Sequence, residues 1–356
     1  MAKPAGYSTL WTGALEEAAN RAKAASADLG SSQFAATVRA WAIPYLRHGM
    51  EDVFSRPDDP KPGLTKVVAS LADYLRASAT CDLAKISAPA SERETEAAVE
   101  NVTGAHYGNL FREFTAQSFA GEPRRLLGER LERNDVVIPD LAGARVLDAG
   151  CGGGRYSVAW HLLGAGHVLG VDLSEPGIAD AKARAVAMNL ENVEFQLADV
   201  VELPLPDNSF DVVFSNGVLH HTRDWQRGIH NLLRVLKPGG TGWLYLIENP
   251  GGYFWDINEL CREITAHDSH EHARSAVSGL GIPANRVFYM LDHAMVPINI
   301  RLTPDEITQE LATAGAKGIR RLERGVDFDR VERIYQKEAF AVDKFGVGEN
   351  RFIFTK

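Results

Sequence analysis

The stretch VLDAGCGGGRYS, Val146–Ser157, decides how the rest of the chain is read. It sets four glycines within the five positions 150–154, directly behind a short apolar run. Glycine loses more backbone freedom on folding than any other residue, so the cluster needs a physical reason. One is a turn whose residues sit at positive φ. The other is a ligand that lies against the main chain with no side chain between. An apolar run, a glycine turn and a helix-forming stretch is the pattern with which α/β proteins hold a nucleotide or nucleotide-like cofactor. A tight strand–helix turn without any ligand is the competing reading.

Outward from this stretch, short β-rich runs recur after Asp140: ARVLDAG, HVLGVDL, NVEFQLA, FDVVFSN and GWLYLIE, with helix-length segments between them. Strands alternating with helices imply a mostly parallel sheet covered on both faces. TPDE, Thr303–Glu306, reads as a capping box with proline at the first helical position. Its helix carries Ile307 and Leu311 and stops at Gly315. Ile319–Leu322 and RFIFTK, Arg351–Lys356, read as closing strands. From Leu10 to Arg133 the pattern is helical instead. Phe34, Val38, Trp41, Ala42, Tyr45 and Leu46 recur every three or four residues and share one helix face. SRPDDPKPG (55–63) reads as a loop and SAPAS (87–91) as a break. The chain is expected to divide into a helical domain at 1–135 and an α/β core at 136–356. Insertions of uncertain shape are expected in that core, at about 255–300 and 326–346.

Composition narrows the partners. Charged residues are 24% and hydrophobic ones 45%, an ordinary globular balance. A net charge of −9 argues against a nucleic-acid partner. Three cysteines, far apart and without a CxxC pair, argue against a disulfide framework and fit a cytoplasmic protein. The opening MAKPAGYSTLWTGALEE lacks the layout of a signal peptide. No apolar run reaches 18 residues, so no membrane partner is expected.

Two cofactor patterns compete at the glycine turn. The dinucleotide fingerprint GxGxxG needs a third glycine at position 155, which is Arg155, and its bulk counts against that reading. The other pattern, D-x-G-x-G-x-G, is met by Asp148, Gly150, Gly152 and Gly154. Asp172, at the end of VLGVDLS, stands where a carboxylate accepts from both hydroxyls of a ribose. It serves either pattern. Further on, FQLADVVELPLPDNSFDVV and VLKPGGTGWLYL complete a set that resembles the class I S-adenosylmethionine-dependent methyltransferases over about residues 140–250.

That resemblance implies a Rossmann-like seven-stranded sheet of order 3-2-1-4-5-7-6, joined here to the N-terminal all-helical domain. It implies S-adenosyl-L-methionine as cofactor and S-adenosyl-L-homocysteine as product. The glycines would admit the amino-acid end and ribose, with Asp148 as an acidic anchor and Asp172, followed by Leu173, at the ribose hydroxyls. Asp199, followed by Val200, would bind the adenine amino group, and Asn216 would bond the cofactor or shape its turn. HYGNLFREF (106–114) resembles the helix that closes over the cofactor in several small-molecule methyltransferases, which makes Tyr107 a cofactor contact.

The acceptor is expected to be a small-molecule metabolite methylated on O, N or C. The segment after the fourth strand, SNGVLHHTRD, is not the NPPY or DPPY of amine-directed nucleic-acid methyltransferases. His220 and His221 are candidate general bases, and Glu248, ending the fifth strand, is a further catalytic candidate. Phe254, Trp255, Phe288, Tyr289, Met290 and Trp243 are candidates for an apolar wall, with Asp292 and His293 beside it. AHDSHEHA (266–273) carries His267, His270 and His272, but three ligands so close along one helix rarely converge, so no metal is expected. The helical domain is expected to act as a lid, a substrate reader or a homodimer surface. A protein or peptide methyltransferase and a non-catalytic cofactor-binding protein are the alternative functions.

Overall fold

A computed structural model describes residues 9–83, 87–90, 117–138 and 140–356. The seven described strands form one sheet in the order β3-β2-β1-β4-β5-β7-β6, the order the resemblance implies. They are β1 (Arg145–Ala149), β2 (His167–Asp172), β3 (Val193–Leu197), β4 (Phe210–Asn216), β5 (Leu236–Leu246), β6 (Lys317–Arg321) and β7 (Asn350–Thr355). β1 to β5 pair in parallel, and β7 runs antiparallel to both β5 and β6.

Side chains alternate across the sheet, so neighbouring strand residues feed two different cores. Leu147, Ala149, Val213 and Leu244 pack with Ile229 and Leu232 of helix Trp225–Val235 and with Ile307 and Leu311 of helix Pro304–Thr313. Val146, Val212, Phe214 and Trp243 face the opposite way. They pack with Trp160 of helix Arg155–Leu162, Ile178 of helix Glu175–Ala187 and Leu127 of helix Glu122–Arg133. Asp148 shares the parity of Val146 and therefore meets helix Arg155–Leu162. The strand order reverses between β1 and β4. Their carboxyl ends open there into the crevice where α/β sheets bind ligands.

Local chemistry sets the element ends. Thr303 accepts from Glu306 N at 3.2 Å while Glu306 Oε2 accepts from Thr303 N at 2.7 Å, the reciprocal capping box read in TPDE. The loop expected at 55–63 is shorter. Helix Pro60–Ala79 takes PKPG as its first turn, capped by Asp59, because proline at the start lacks only an N–H the helix leaves unused. The turn Pro238-Gly239-Gly240 is an irregularity inside β5, where the pairing with β4 steps from Phe210↔Leu236 to Val212↔Thr241.

The chain forms two compact units, neither of them continuous in sequence. One contains residues 100–249, 298–336 and 348–356 and holds the sheet. The other contains residues 1–99, 250–297 and 337–347. Pro250–Pro297, which takes in most of the insertion expected in the α/β core at about 255–300, therefore groups with the N-terminal helices. The reason is visible in helix Gly252–Ile264, which is buried on nearly every side. A helix of this kind needs partners all round, and helices Ala14–Asp28, Gln33–Phe54 and Ala341–Phe345 of the same unit surround it. Polar stitches fix these contacts. Ser26 Oγ donates to Ile264 O at 3.2 Å, and Lys344 Nζ donates to Phe54 O at 3.1 Å. Arg39 grips Asp268 through Nε (2.8 and 3.1 Å) and Nη2 (2.6 Å), with side-chain exposures of only 9% and 2%.

Removing one partner of a buried, forked ion pair strands the other charge. Arg39→Ala is therefore expected to destabilise this helical unit by about 3–5 kcal/mol. The measurement is a urea titration followed by the fluorescence of Trp41 and Trp255. An unchanged midpoint would show that water, not protein, balances Asp268.

Candidate functional site

β1 delivers its chain end into the glycine turn at the switch point. Gly150, Gly152 and Gly154 all have positive φ, at 85°, 53° and 84°. At two of them crowding adds to the conformational demand. A Cβ on Gly150 would stand 2.3 Å from Val218 Cγ2, and one on Gly154 would stand 2.7 Å from the Phe195 ring. The turn hangs on β2: Gly150 N and Cys151 N both donate to Val171 O, at 2.8 and 2.9 Å.

Asp172 ends β2 and closes the arrangement. Its Oδ2 accepts from Gly152 N and its Oδ1 from Ser174 N, both at 2.8 Å. Ser174 caps helix Glu175–Ala187, so one carboxylate ties the glycine turn to the start of that helix. Burial pushes the Asp172 carboxyl above its ordinary value, against the lowering effect of the Ser174, Gly152 and Leu173 amides. Leu173 beside it is 48% exposed.

Asp148 is buried at 2% exposure and accepts from Ser157 Oγ at 2.6 Å. Burial pushes its carboxyl up to about 7, the Ser157 hydroxyl pulls the other way, and the charge of Asp172 pushes it further up. The Cys151 thiol is raised well above its usual value by burial and then by the same two carboxylates. Asp199, past the end of β3, folds back so that Oδ1 accepts from Val201 N at 2.7 Å, with Val200 buried in the core behind it.

At the end of β4, Asn216 Oδ1 accepts from Trp243 Nε1 of β5 at 3.3 Å. Gly217 follows at φ 85°, and a Cβ there would meet only Tyr245 and His220, at ordinary contact distances of 3.6 to 4.0 Å. The short helical turn Leu219–His221 then sets the two histidine rings 4.1 Å apart at 64°. Their ring nitrogens are differentiated. Ile247 N donates to His220 Nδ1 at 3.3 Å, which puts the proton of the neutral ring on Nε2. His221 Nδ1 lies 2.8 Å from Ile298 O; a carbonyl only accepts, so this nitrogen carries the proton and Nε2 the basic lone pair.

Glu248 is fully buried; its Oε1 accepts from Arg330 Nε at 2.8 Å, and Arg330 Nη2 lies 2.7 Å from the same oxygen. The charge-assisted pairing ties the chain just past β5 to the segment that carries Arg330. The support extends further. Glu349 accepts from Arg330 N and Val331 N, at 3.1 and 2.9 Å. Asp329 takes two forked guanidinium groups, from Arg130 at 2.8 Å and from Arg351 at 2.9 and 3.1 Å. Against its burial, those two arginines hold Asp329 well below the usual carboxylate range.

The structure thus brings Asp148, Gly150, Gly152, Gly154 and Asp172 together, and sets Asn216, His220 and His221 on the segment that begins at the end of β4. Tyr107 lies outside the described residues. Trp243 is buried on β5 in the sheet unit, while Phe254, Trp255, Phe288, Tyr289, Met290, Asp292 and His293 belong to the helical unit. Among the described residues, no three or more His, Cys, Asp or Glu side chains group as a metal site. Asp268 is engaged by Arg39, and His272 Nε2 lies 2.9 Å from Thr37 Oγ1. Sequence reading missed Ser157, Gly217, Tyr245 and Arg330. Only Gly217, directly behind Asn216, carried a local signal.

Residues 147–244 match a family model described as a methyltransferase domain. The 27-O-demethylrifamycin SV methyltransferase of Amycolatopsis mediterranei is 38% identical over 132 residues, 36% of this chain and 48% of that protein. The demethylmenaquinone methyltransferase of Listeria monocytogenes is 38% identical over 100 residues, 28% of this chain and 42% of that protein. The chain thus spans under half the length of both relatives. Among solved structures, phosphoethanolamine N-methyltransferase 2 of Haemonchus contortus in complex with S-adenosyl-L-methionine aligns at a TM-score of 0.46 and 19% identity. That alignment covers 73% of this chain and 58% of the other.

An acid whose pKa is raised by folding binds its proton more tightly in the folded state. Its contribution is favourable below about pH 4 and is lost as pH climbs toward 7. The urea stability of the unliganded protein should therefore fall between pH 5 and 8, and by about 3 kcal/mol less in Asp148→Asn. Parallel falls in the two proteins would mean that Asp148 ionises as freely folded as unfolded.

Proposed function

We propose that this chain, whose residues 147–244 match a methyltransferase-domain model, is a class I S-adenosylmethionine-dependent methyltransferase that methylates O, N or C of a small-molecule acceptor. The observation that carries the reading is the glycine turn clamped to Asp172. It combines a main chain stripped of side chains with a carboxylate held in place by Gly152 N. The residues present fit the cofactor. Gly152 N donates to one Asp172 oxygen and Ser174 N to the other, and a carboxylate with about four acceptor sites has capacity left for a vicinal hydroxyl. Asp199 is fixed through Oδ1 and offers its other oxygen to an adenine amino group. Exposed Leu173 gives the purine an apolar surface.

When bound, the cofactor supplies an electrophilic methyl on a sulfonium that is already a good leaving group. The work left to the protein is to align the acceptor, keep water out and, for a hydroxyl or ammonium acceptor, take a proton. Of the two histidines, His221 suits the last task, because its Nδ1–H bond to Ile298 O orients the ring and leaves Nε2 basic. His220, with Nδ1 accepting from Ile247 N, is a donor at Nε2 and orients rather than deprotonates. The small-molecule acceptors named for the two relatives support the acceptor class. Free Cys81, Cys151 and Cys261 fit a reducing compartment such as the cytoplasm, and among the described residues no helix is long and apolar enough to cross a membrane.

The test incubates the protein with methyl-labelled S-adenosylmethionine and a host extract divided by size. Label is expected in the low-mass fraction. Label confined to macromolecules would replace the small-molecule acceptor with a protein or peptide. For a hydroxyl or ammonium acceptor, His221→Gln should lower turnover at least about 100-fold while cofactor affinity stays unchanged; equal turnover would leave His221 without the proton role. Asp172→Asn should weaken cofactor binding by about 10- to 100-fold, and calorimetry showing the wild-type affinity would move the ribose elsewhere.

A further inference from the structure

We infer that Asp148 is the residue through which this site registers the positive charge of its ligand, so that binding of the cationic cofactor expels a proton from the Asp148 carboxyl to solvent. The inference rests on the cofactor reading above.

Asp148 is buried at 2% exposure beside the glycine turn, and no basic side chain among the described residues pairs with it. The groups that face it are known from each neighbouring element. Helix Arg155–Leu162 contributes the Ser157 hydroxyl at 2.6 Å, β2 contributes Asp172, and the turn contributes the Cys151 thiol. Its register partners are Gly170 on β2 and Phe214 on β4, neither of which titrates. Arg155, the basic residue of the adjacent helical turn, reaches Glu122 at 2.8 Å. Two carboxylates thus stand close together, buried Asp148 behind half-buried Asp172, and Ser157, through its hydroxyl and its amide, solvates the inner one. Like charges that close disfavour joint ionisation, in keeping with an Asp148 carboxyl that holds its proton up to about 7.

A ligand with positive charge beside the turn reverses that balance, since an opposite charge favours the carboxylate. Ligand binding and proton release are then two sides of one linkage. One proton leaves the Asp148 carboxyl for the buffer, and the carboxylate formed offsets one positive charge of the ligand. The consequence is a cofactor affinity that strengthens about tenfold from pH 6 to pH 8.

The test is titration calorimetry of the full chain with S-adenosylmethionine at pH 6.5, in two buffers of different ionisation enthalpy. The wild type should release about 0.7 proton per ligand bound. Asp148→Asn should release that much less and show an affinity flat between pH 6 and 8. Ser157→Ala, which removes the hydroxyl that stabilises the ionised form, should shift the release profile to higher pH. S-adenosylhomocysteine separates two sources of the charge. Equal release assigns it to the aminoacyl end that both ligands share, and release with the methyl donor alone assigns it to the sulfonium. Identical proton counts in wild type and Asp148→Asn, with both binding, would overturn the inference and leave the cofactor reading intact. Failure of the wild type to bind the methyl donor at all would overturn both.

Discussion

A single hydrogen bond, from Gly152 N to Asp172 Oδ2 at 2.8 Å, joins the glycine turn to the end of β2, and the organisation of the site follows from it. The bond is short because nothing stands between the two chains. Gly150 and Gly154 occupy positive φ, and a Cβ on either would collide with Val218 or Phe195. The other Asp172 oxygen takes Ser174 N, so the carboxylate fixes the turn and the start of the following helix together. Its position leaves a carboxylate at the strand-order switch, where the sheet geometry itself opens a crevice.

The far side of the site depends on a different device. Just past β5, the buried charge of Glu248 is met by Arg330, which also lies 3.6 Å from Glu349, while Arg351 pairs with neighbouring Asp329. A buried network of this kind gives little stability relative to apolar packing, but breaking any one member leaves a charge without its counterpart. Its effect here is positional. Segments 326–332 and 348–351, the end of β5 and helix Glu122–Arg133 are all held to one cluster. The contrast with the glycine corner is instructive: acidic charge near β7 is matched by arginine, whereas the pair Asp148 and Asp172 has none among the described residues.

Much of this was legible in the sequence wherever a backbone constraint had to be written as a residue type. Gly150, Gly152 and Gly154 announce positive φ, Asp172 announces a strand-end carboxylate, and Thr303 with Glu306 announces a helix start. The strand order came from the resemblance, and the register of Val146 with Val168 and Val212 accords with it. The partners of Glu248 were not legible, because Arg330 lies 82 residues away and no local pattern marks it. The histidine tautomers were equally hidden: they are set by two backbone groups, Ile247 N and Ile298 O, whose positions follow from tertiary structure alone. The segment at about 255–300 reads as an insertion because it follows the fifth strand. Nothing local in it says that helix Gly252–Ile264 packs against helices Ala14–Asp28, Gln33–Phe54 and Ala341–Phe345, all distant in sequence.

The central claim is that the glycine turn and Asp172 hold S-adenosylmethionine, and a crystal structure of the complex with S-adenosylhomocysteine tests it most directly. The account predicts both ribose hydroxyls within hydrogen-bond distance of the Asp172 carboxylate, with the aminoacyl chain against Gly150 and Gly152. A nucleoside bound elsewhere, or Asp172 left with only its two amide partners, would contradict it.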